Sequence, residues 1–273
     1  MSGRLFIAEK RELAINVASG LALSGVAQED HTGKYKTGYI TVGNDTVTWL
    51  AGHMFDSCKP DAFGYAFGDI DALPVKIPSD QWKYEIIEST IDWNKIQFDV
   101  ISRLNATHQI IVNVGDPGRE GQYLVDLVIR HLGRDPYGDD ISRLWFQDVL
   151  PKTMAAAVSV MKPNATYRNL CMSAQYRAMV DYEYAMTFTN LITELIRRAG
   201  GSGRASIGRL RTTIQRIIYD RDKARREFKP IDHFLPSVTF ANQTTKLQAK
   251  WQWSDRVQTD PGPYTPSTLP EKA

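Results

Sequence analysis

The 273 residues carry 42% hydrophobic and 23% charged side chains and a formal net charge of +2, the profile of an ordinary globular chain large enough for a real core. No apolar run approaches the roughly 18–20 residues of a bilayer span, and the opening Met-Ser-Gly-Arg-Leu-Phe-Ile-Ala-Glu-Lys lacks the apolar segment of a secretory leader; no membrane association and a cytoplasmic location are expected. Two cysteines, Cys58 and Cys171, with no Cys-x-x-Cys pair, argue against a disulfide framework or a zinc knuckle.

In chain order, Arg4–Ala8 is a short apolar run suited to a buried strand. Residues 9–22 continue with helical spacing through Leu13, Val17 and Leu21. Residues 37–50 read as a hairpin, with β-branched runs on either side of Gly43-Asn44-Asp45. Residues 60–80, rich in Gly, Pro and Asp, form an excursion. Apolar positions 96, 100, 101 and 104 mark a helix, followed by a strand over 109–114, a glycine-rich turn, and a helix over 121–133 that stops at Gly133. From residue 151 three helices follow in succession, over 151–162, 169–198 and 207–228, and then a β-rich stretch over 234–253. The last twenty residues hold four prolines and little core material, as in a loose tail.

Helices alternating with short apolar strands predict an α/β fold: a mostly parallel sheet flanked by helices, then an all-helical region, then a short β segment. The expected divisions are 1–150, 151–230 and 231–273.

The charge is unevenly spread. Between Arg197 and Lys229 eleven basic residues face three acidic ones, a surplus of eight, which is either a solvated helix or the footprint of a polyanion contact. Chemistry gathers at strand ends. In an open parallel sheet, ligands collect at the carboxyl ends of the strands. There Glu9 follows the first strand, while Asp116 and Glu120 sit in the turn after residue 114. If the two strands are neighbours, the three acids converge, and oxygen ligands of that kind suit Mg²⁺. Lys10 beside them offers a proton or a positive charge to a phosphate oxygen. A simpler reading is that Gly118 relaxes a tight turn in which Arg119 and Glu120 pair.

Four stretches, in this order, resemble the type IA DNA topoisomerases, and particularly their bacterial topoisomerase III branch: Arg4–Lys10, Thr48–Asp56, Gly115–Ile129 and Ala205–Pro230. The resemblance implies a Toprim domain in which Glu9, Asp116 and Glu120 hold magnesium and Lys10 assists phosphodiester cleavage, with His53 also matching a family position. It further implies magnesium-dependent, ATP-independent cleavage, passage and religation of single strands. The family's usual Asp-Pro-Asp-Arg-Glu-Gly reads here Asp116-Pro117-Gly118-Arg119-Glu120-Gly121, so one carboxylate is missing and weakened Mg²⁺ binding is expected.

Ser206-Ile207-Gly208-Arg209-Leu210-Arg211 resembles the family's block along the single-stranded DNA groove, with Arg211 in place of Gln and Thr213 in place of Pro. The residue types suit such a groove, with a hydroxyl and helix-start amides to meet a phosphate and a guanidinium for a two-pronged grip. Upstream, Arg177 and Asp181 match a family helix, Tyr182 replaces an aromatic that would stack a base, Asn190 stands where arginine is common, and Arg197 is a further phosphate contact. The nucleophilic tyrosine of the family lies in a Tyr-Pro-Arg motif, and no such run occurs in the 273 residues. Tyr264, in a proline-rich stretch without a following arginine, is not expected to replace it. The chain is therefore expected to be inactive alone, whether as a fragment, a decayed copy or one part of a split enzyme whose separate half bears the tyrosine. A single-stranded DNA-binding module without chemistry, or a Toprim nuclease or primase, remains the alternative.

Overall fold

The computed structural model describes residues 3–88, 92–230 and 237–250. The chain divides into a unit ending at Thr212 and a second beginning at Thr213.

The first unit contains strands β1 (Arg4–Ala8), β2 (Gln28–Asp30), β3 (Tyr39–Val42), β4 (Asp45–Trp49), β5 (Phe55–Ser57), β6 (Tyr84–Ile86), β7 (Ile110–Val114), β8 (Ile141–Arg143) and β9 (Lys162–Pro163). Its helices are α1 (Arg11–Leu21), α2 (Trp93–Asn105), α3 (Arg119–His131), α4 (Pro151–Ser159) and α5 (Arg168–Arg198). Seven strands form one sheet in the order β2-β3-β4-β1-β7-β8-β9, and β5 and β6 pair separately. The centre, β4-β1-β7-β8, is parallel, whereas β2-β3, β3-β4 and β8-β9 are antiparallel. The parallel sheet read from the sequence is thus its middle, and a Toprim-like α/β architecture results.

β1 owes its place to its side chains. Successive residues of a strand point to opposite faces, and both faces of β1 are covered. Phe6 and Ala8 join Leu13, Val17, Val112 and Met154 on the side of α1 and α4. Leu5 and Ile7 join Ile101, Ile111, Val125, Ile129 and Cys171 on the other. Burial on both sides explains why the central strands read as continuous apolar runs rather than alternating ones. The hairpin of 37–50 forms as β3 and β4, its turn carried by Gly43 at φ +57. Helix α3 stops just before Gly133, whose φ of +76 is the left-handed conformation that glycine adopts freely.

Among the described residues, buried side-chain nitrogens and oxygens are paired except for Arg11 Nε. Gln97, fully buried on α2, accepts from the Gly38 amide at 2.7 Å and donates to Thr48 Oγ1 at 2.9 Å and the Trp49 carbonyl at 2.8 Å. Replacing Gln97 with leucine leaves a buried N–H and a buried carbonyl unsatisfied, and urea denaturation is expected to show a loss of roughly 2–4 kcal/mol.

Helix α6 (Arg209–Glu227) begins in the first unit and continues into the second. None of its residues is buried; Arg216 pairs with Asp220 at 2.8 Å, one turn along. Strands β10 (Ser237–Ala241) and β11 (Lys246–Lys250) form the antiparallel pair that the β-rich stretch suggested. Tyr264 and the prolines after residue 260 lie outside the described residues. No described helix is long and apolar enough to cross a membrane.

Candidate metal and nucleic-acid site

The parallel register sets Ala8 beside Val114 and beside Trp49. The residues that follow these three strands therefore meet at one edge of the sheet. Glu9 donates its amide to the Val114 carbonyl at 3.2 Å and accepts from the Gly52 amide at 3.0 Å. Its carboxylate Oε2 takes the Asp116 amide at 2.9 Å. Lys10 Nζ donates to Asp116 Oδ2 at 2.7 Å, and that hydrogen bond raises the lysine above its ordinary pKa, keeping it charged. Glu120, in the first turn of α3, lies with Oε1 3.4 Å from His53 Nε2.

Glu9, Lys10 and Asp116 thus meet, and Glu120 and His53 form a second pair in the segments that follow β7 and β4, so each carboxylate has its own nearby partner: a backbone amide, a lysine and a histidine. Among the described residues no three acidic, histidine or cysteine side chains stand close enough to hold an ion. The donor set itself is of the right kind, hard carboxylate oxygens with half-exposed Asp116 and Glu120 side chains. Glu120 leans toward His53 rather than Arg119, so the turn is not closed by the Arg119–Glu120 pair.

Two glycines let the turn close. A Cβ on Gly115 would fall 2.0 Å from the Gly121 carbonyl oxygen, and one on Gly121 would fall 2.6 Å from Glu9 Oε2. Gly118 differs. Its backbone is extended (φ 172) and a Cβ there would meet nothing within 4 Å.

Beneath the turn lies Arg143, fully buried. Its guanidinium donates to the carbonyls of Gly115 at 2.8 Å, Asp116 at 3.1 Å, Asn113 at 3.1 Å and Leu144 at 2.7 Å, and to Gln122 Oε1 at 2.8 Å. Burial pulls its pKa down to about 10, which still leaves it protonated at neutral pH. Gln122 in turn donates to Asp126, whose carboxyl is raised by burial while Asn113 and Asn164 donate to it. Nothing in the local sequence marks Arg143 as internal; only the stacking of β8 on β7 buries it.

The second group of expected residues lies along α5 and the segment after it. Ile207 donates its amide to Thr189 Oγ1 at 2.9 Å, and Ala205 donates to Thr193 Oγ1 at 3.0 Å, so Ser206 and Gly208 are strapped to the helix. Arg209 reaches Asp181 at 2.9 Å, and Arg177 lies 3.8 Å from the same carboxylate. Ser206, Arg209, Leu210 and Arg211 face solvent, and Arg197 is half exposed. Tyr182 is engaged in packing: its hydroxyl donates to the Cys58 carbonyl at 2.7 Å and its ring meets Phe63 and Trp82 edge-on. Asn190, in the arginine position, is buried and fastens the excursion by accepting from the Gly68 amide at 2.6 Å.

No protein-family model matches the chain. It is similar to the DNA topoisomerase 3 of Haemophilus influenzae, with 32% identity over an aligned length of 286 residues that takes in 98% of this chain and 42% of that protein. The Salmonella typhimurium DNA topoisomerase 3 is 31% identical over 260 residues, 93% of this chain and 38% of its own length. That of Pasteurella multocida is 35% identical over 236 residues, 85% and 34% respectively. Over nearly all of its length, then, this chain is topoisomerase III-like in sequence, and it spans about two fifths of the curated relatives it matches.

Proposed function

We propose that this chain is the Toprim and helical portion of a type IA, topoisomerase III-like DNA topoisomerase, acting on single-stranded DNA with Mg²⁺ and without ATP. The observation that carries the reading is the meeting of Glu9, Lys10 and Asp116 at the carboxyl ends of β1 and β7, with Glu120 following in the first turn of α3, in a chain whose similarity to DNA topoisomerase 3 runs through both strands.

Glu9, Asp116 and Glu120 would hold the ion, Glu120 turning from His53 to do so. Mg²⁺ bound there supplies positive charge for a phosphodiester oxygen and keeps several waters. Lys10, held protonated by Asp116, offers a proton or a second positive charge to the same phosphate. Arg143 fixes the carbonyls of the acidic turn, so that Asp116 keeps its place when its carboxylate changes partner. Ser206, Ile207, Gly208, Arg209, Leu210 and Arg211 form the strand-binding segment, with Arg177 and Arg197 adding positive charge. In this scheme the 273 residues bind and position the strand, and the attacking tyrosine comes from outside them.

A single-strand-binding module without chemistry is the second reading, favoured by Gly118 and by the separate partners of the three acids. Fluorescence anisotropy and plasmid relaxation test both. The chain is expected to bind single-stranded DNA with an affinity that falls steeply with salt, and not to relax supercoiled plasmid by itself. Mg²⁺-dependent relaxation should appear when a tyrosine-bearing polypeptide is added, and should be lost in Glu9→Gln. Persistent failure with that addition favours the module, and nicking by the chain alone that requires Glu9 favours a Toprim nuclease. Relaxation by the chain alone that Tyr264→Phe abolishes overturns the assignment of the nucleophile.

A further inference from the structure

The excursion between β5 and β6 is fastened along α5. Val75 donates its amide to Thr187 Oγ1 at 2.9 Å, Ile77 to Glu183 Oε1 at 2.6 Å, and Gly68 to Asn190 Oδ1 at 2.6 Å. The neighbouring positions Thr189 and Thr193 hold residues 205 and 207. Excursion and strand-binding segment therefore lie side by side on one helix, and Phe67 stands where they meet.

The guanidinium carbon of Arg204 lies 5.0 Å from the Phe67 ring centroid and that of Arg197 lies 5.6 Å from it. The ring is nonetheless 46% exposed. Arg204 makes no ion pair among the described residues, and Glu194, 4.0 Å from Arg197, is held more closely by Arg198 at 3.1 Å. A part-exposed aromatic ring with two guanidinium groups over it combines the two elements that bind unpaired nucleic acid: a π-face that a base takes when a guanidinium moves off to a phosphate, and positive charge for the backbone. A ring serving only to pin the excursion would gain more by being buried.

We propose that Phe67, with Arg197 and Arg204, is a base-stacking contact for single-stranded DNA at the entrance to the Ser206 segment. It rests on the single-strand reading above and adds a site contributed by the excursion. The full chain is titrated, by fluorescence anisotropy, into a labelled oligothymidylate and an abasic strand of the same length. Phe67→Leu keeps the apolar bulk; it should weaken oligothymidylate binding roughly tenfold and leave the abasic strand unaffected, with Phe67→Trp restoring affinity. Arg197→Gln and Arg204→Gln should weaken both strands and each lower the salt slope by about 0.7. If Phe67→Leu binds oligothymidylate like the wild type, or loses both strands equally, the proposal fails while the groove reading stands. A wild-type chain that binds neither strand overturns both.

Discussion

Gly118→Asp is expected to tighten divalent-ion binding by roughly tenfold or more, since affinity in such sites rises with the number and charge of oxygen ligands. The position accepts the change: the backbone is extended there and a Cβ would meet nothing within 4 Å. The new carboxylate would stand between Asp116 and Glu120 in the chain, with no cation of its own, whereas Asp116 is held by Lys10 at 2.7 Å and Glu120 lies near His53. Gly118→Ala is the control, adding a side chain without a ligand. Isothermal titration with Mn²⁺ should separate the two, the alanine variant matching the wild type. Equal affinities for the aspartate and alanine variants would show that the turn does not face an ion.

Gly121→Ala, three residues away, is expected to do the opposite. Its Cβ would lie 2.4 Å from the Asp116 amide nitrogen, 2.5 Å from the Asp116 carbonyl oxygen and 2.6 Å from Glu9 Oε2. Two of these atoms are backbone, and the Asp116 carbonyl is also held by Arg143, so relief requires the turn to move away from the first strand. Overpacking of this kind costs roughly 1–3 kcal/mol, and more where backbone must shift. Urea denaturation should show that loss, and the hydrogen bond that joins Glu9 to Asp116 should break, taking ion binding with it. Wild-type stability together with wild-type ion affinity would mean that Glu9 and the turn are not packed together.

The contrast between these glycines was invisible in the sequence, where 115 and 118 read as turn residues and 121 as the start of the helix that follows. Periodicity revealed the elements long enough to express it: β1, the β3–β4 hairpin, β7, α3 and the three later helices. β5, β6 and β8, at three residues each, are too short to show alternation, and the antiparallel edges of the sheet depend on pairing between segments far apart in the chain. The acids were legible because strand ends follow from apolar runs. Arg143 was not, because a guanidinium in the interior is stabilised by carbonyls that only the assembled sheet brings together. The positions of Tyr182 and Asn190 depend in the same way on the excursion, whose Gly- and Pro-rich sequence does not say which helix it lies against.

The central claim is that Glu9, Asp116 and Glu120 share one divalent ion, and anomalous diffraction from crystals grown with Mn²⁺ addresses it directly. The expected result is a single anomalous peak at roughly 2.1–2.2 Å from oxygens of these carboxylates, with Lys10 displaced from Asp116 and Glu120 turned away from His53. A Mn²⁺-saturated crystal with no peak at the ends of β1 and β7, or with its ion held by other residues, would contradict the account.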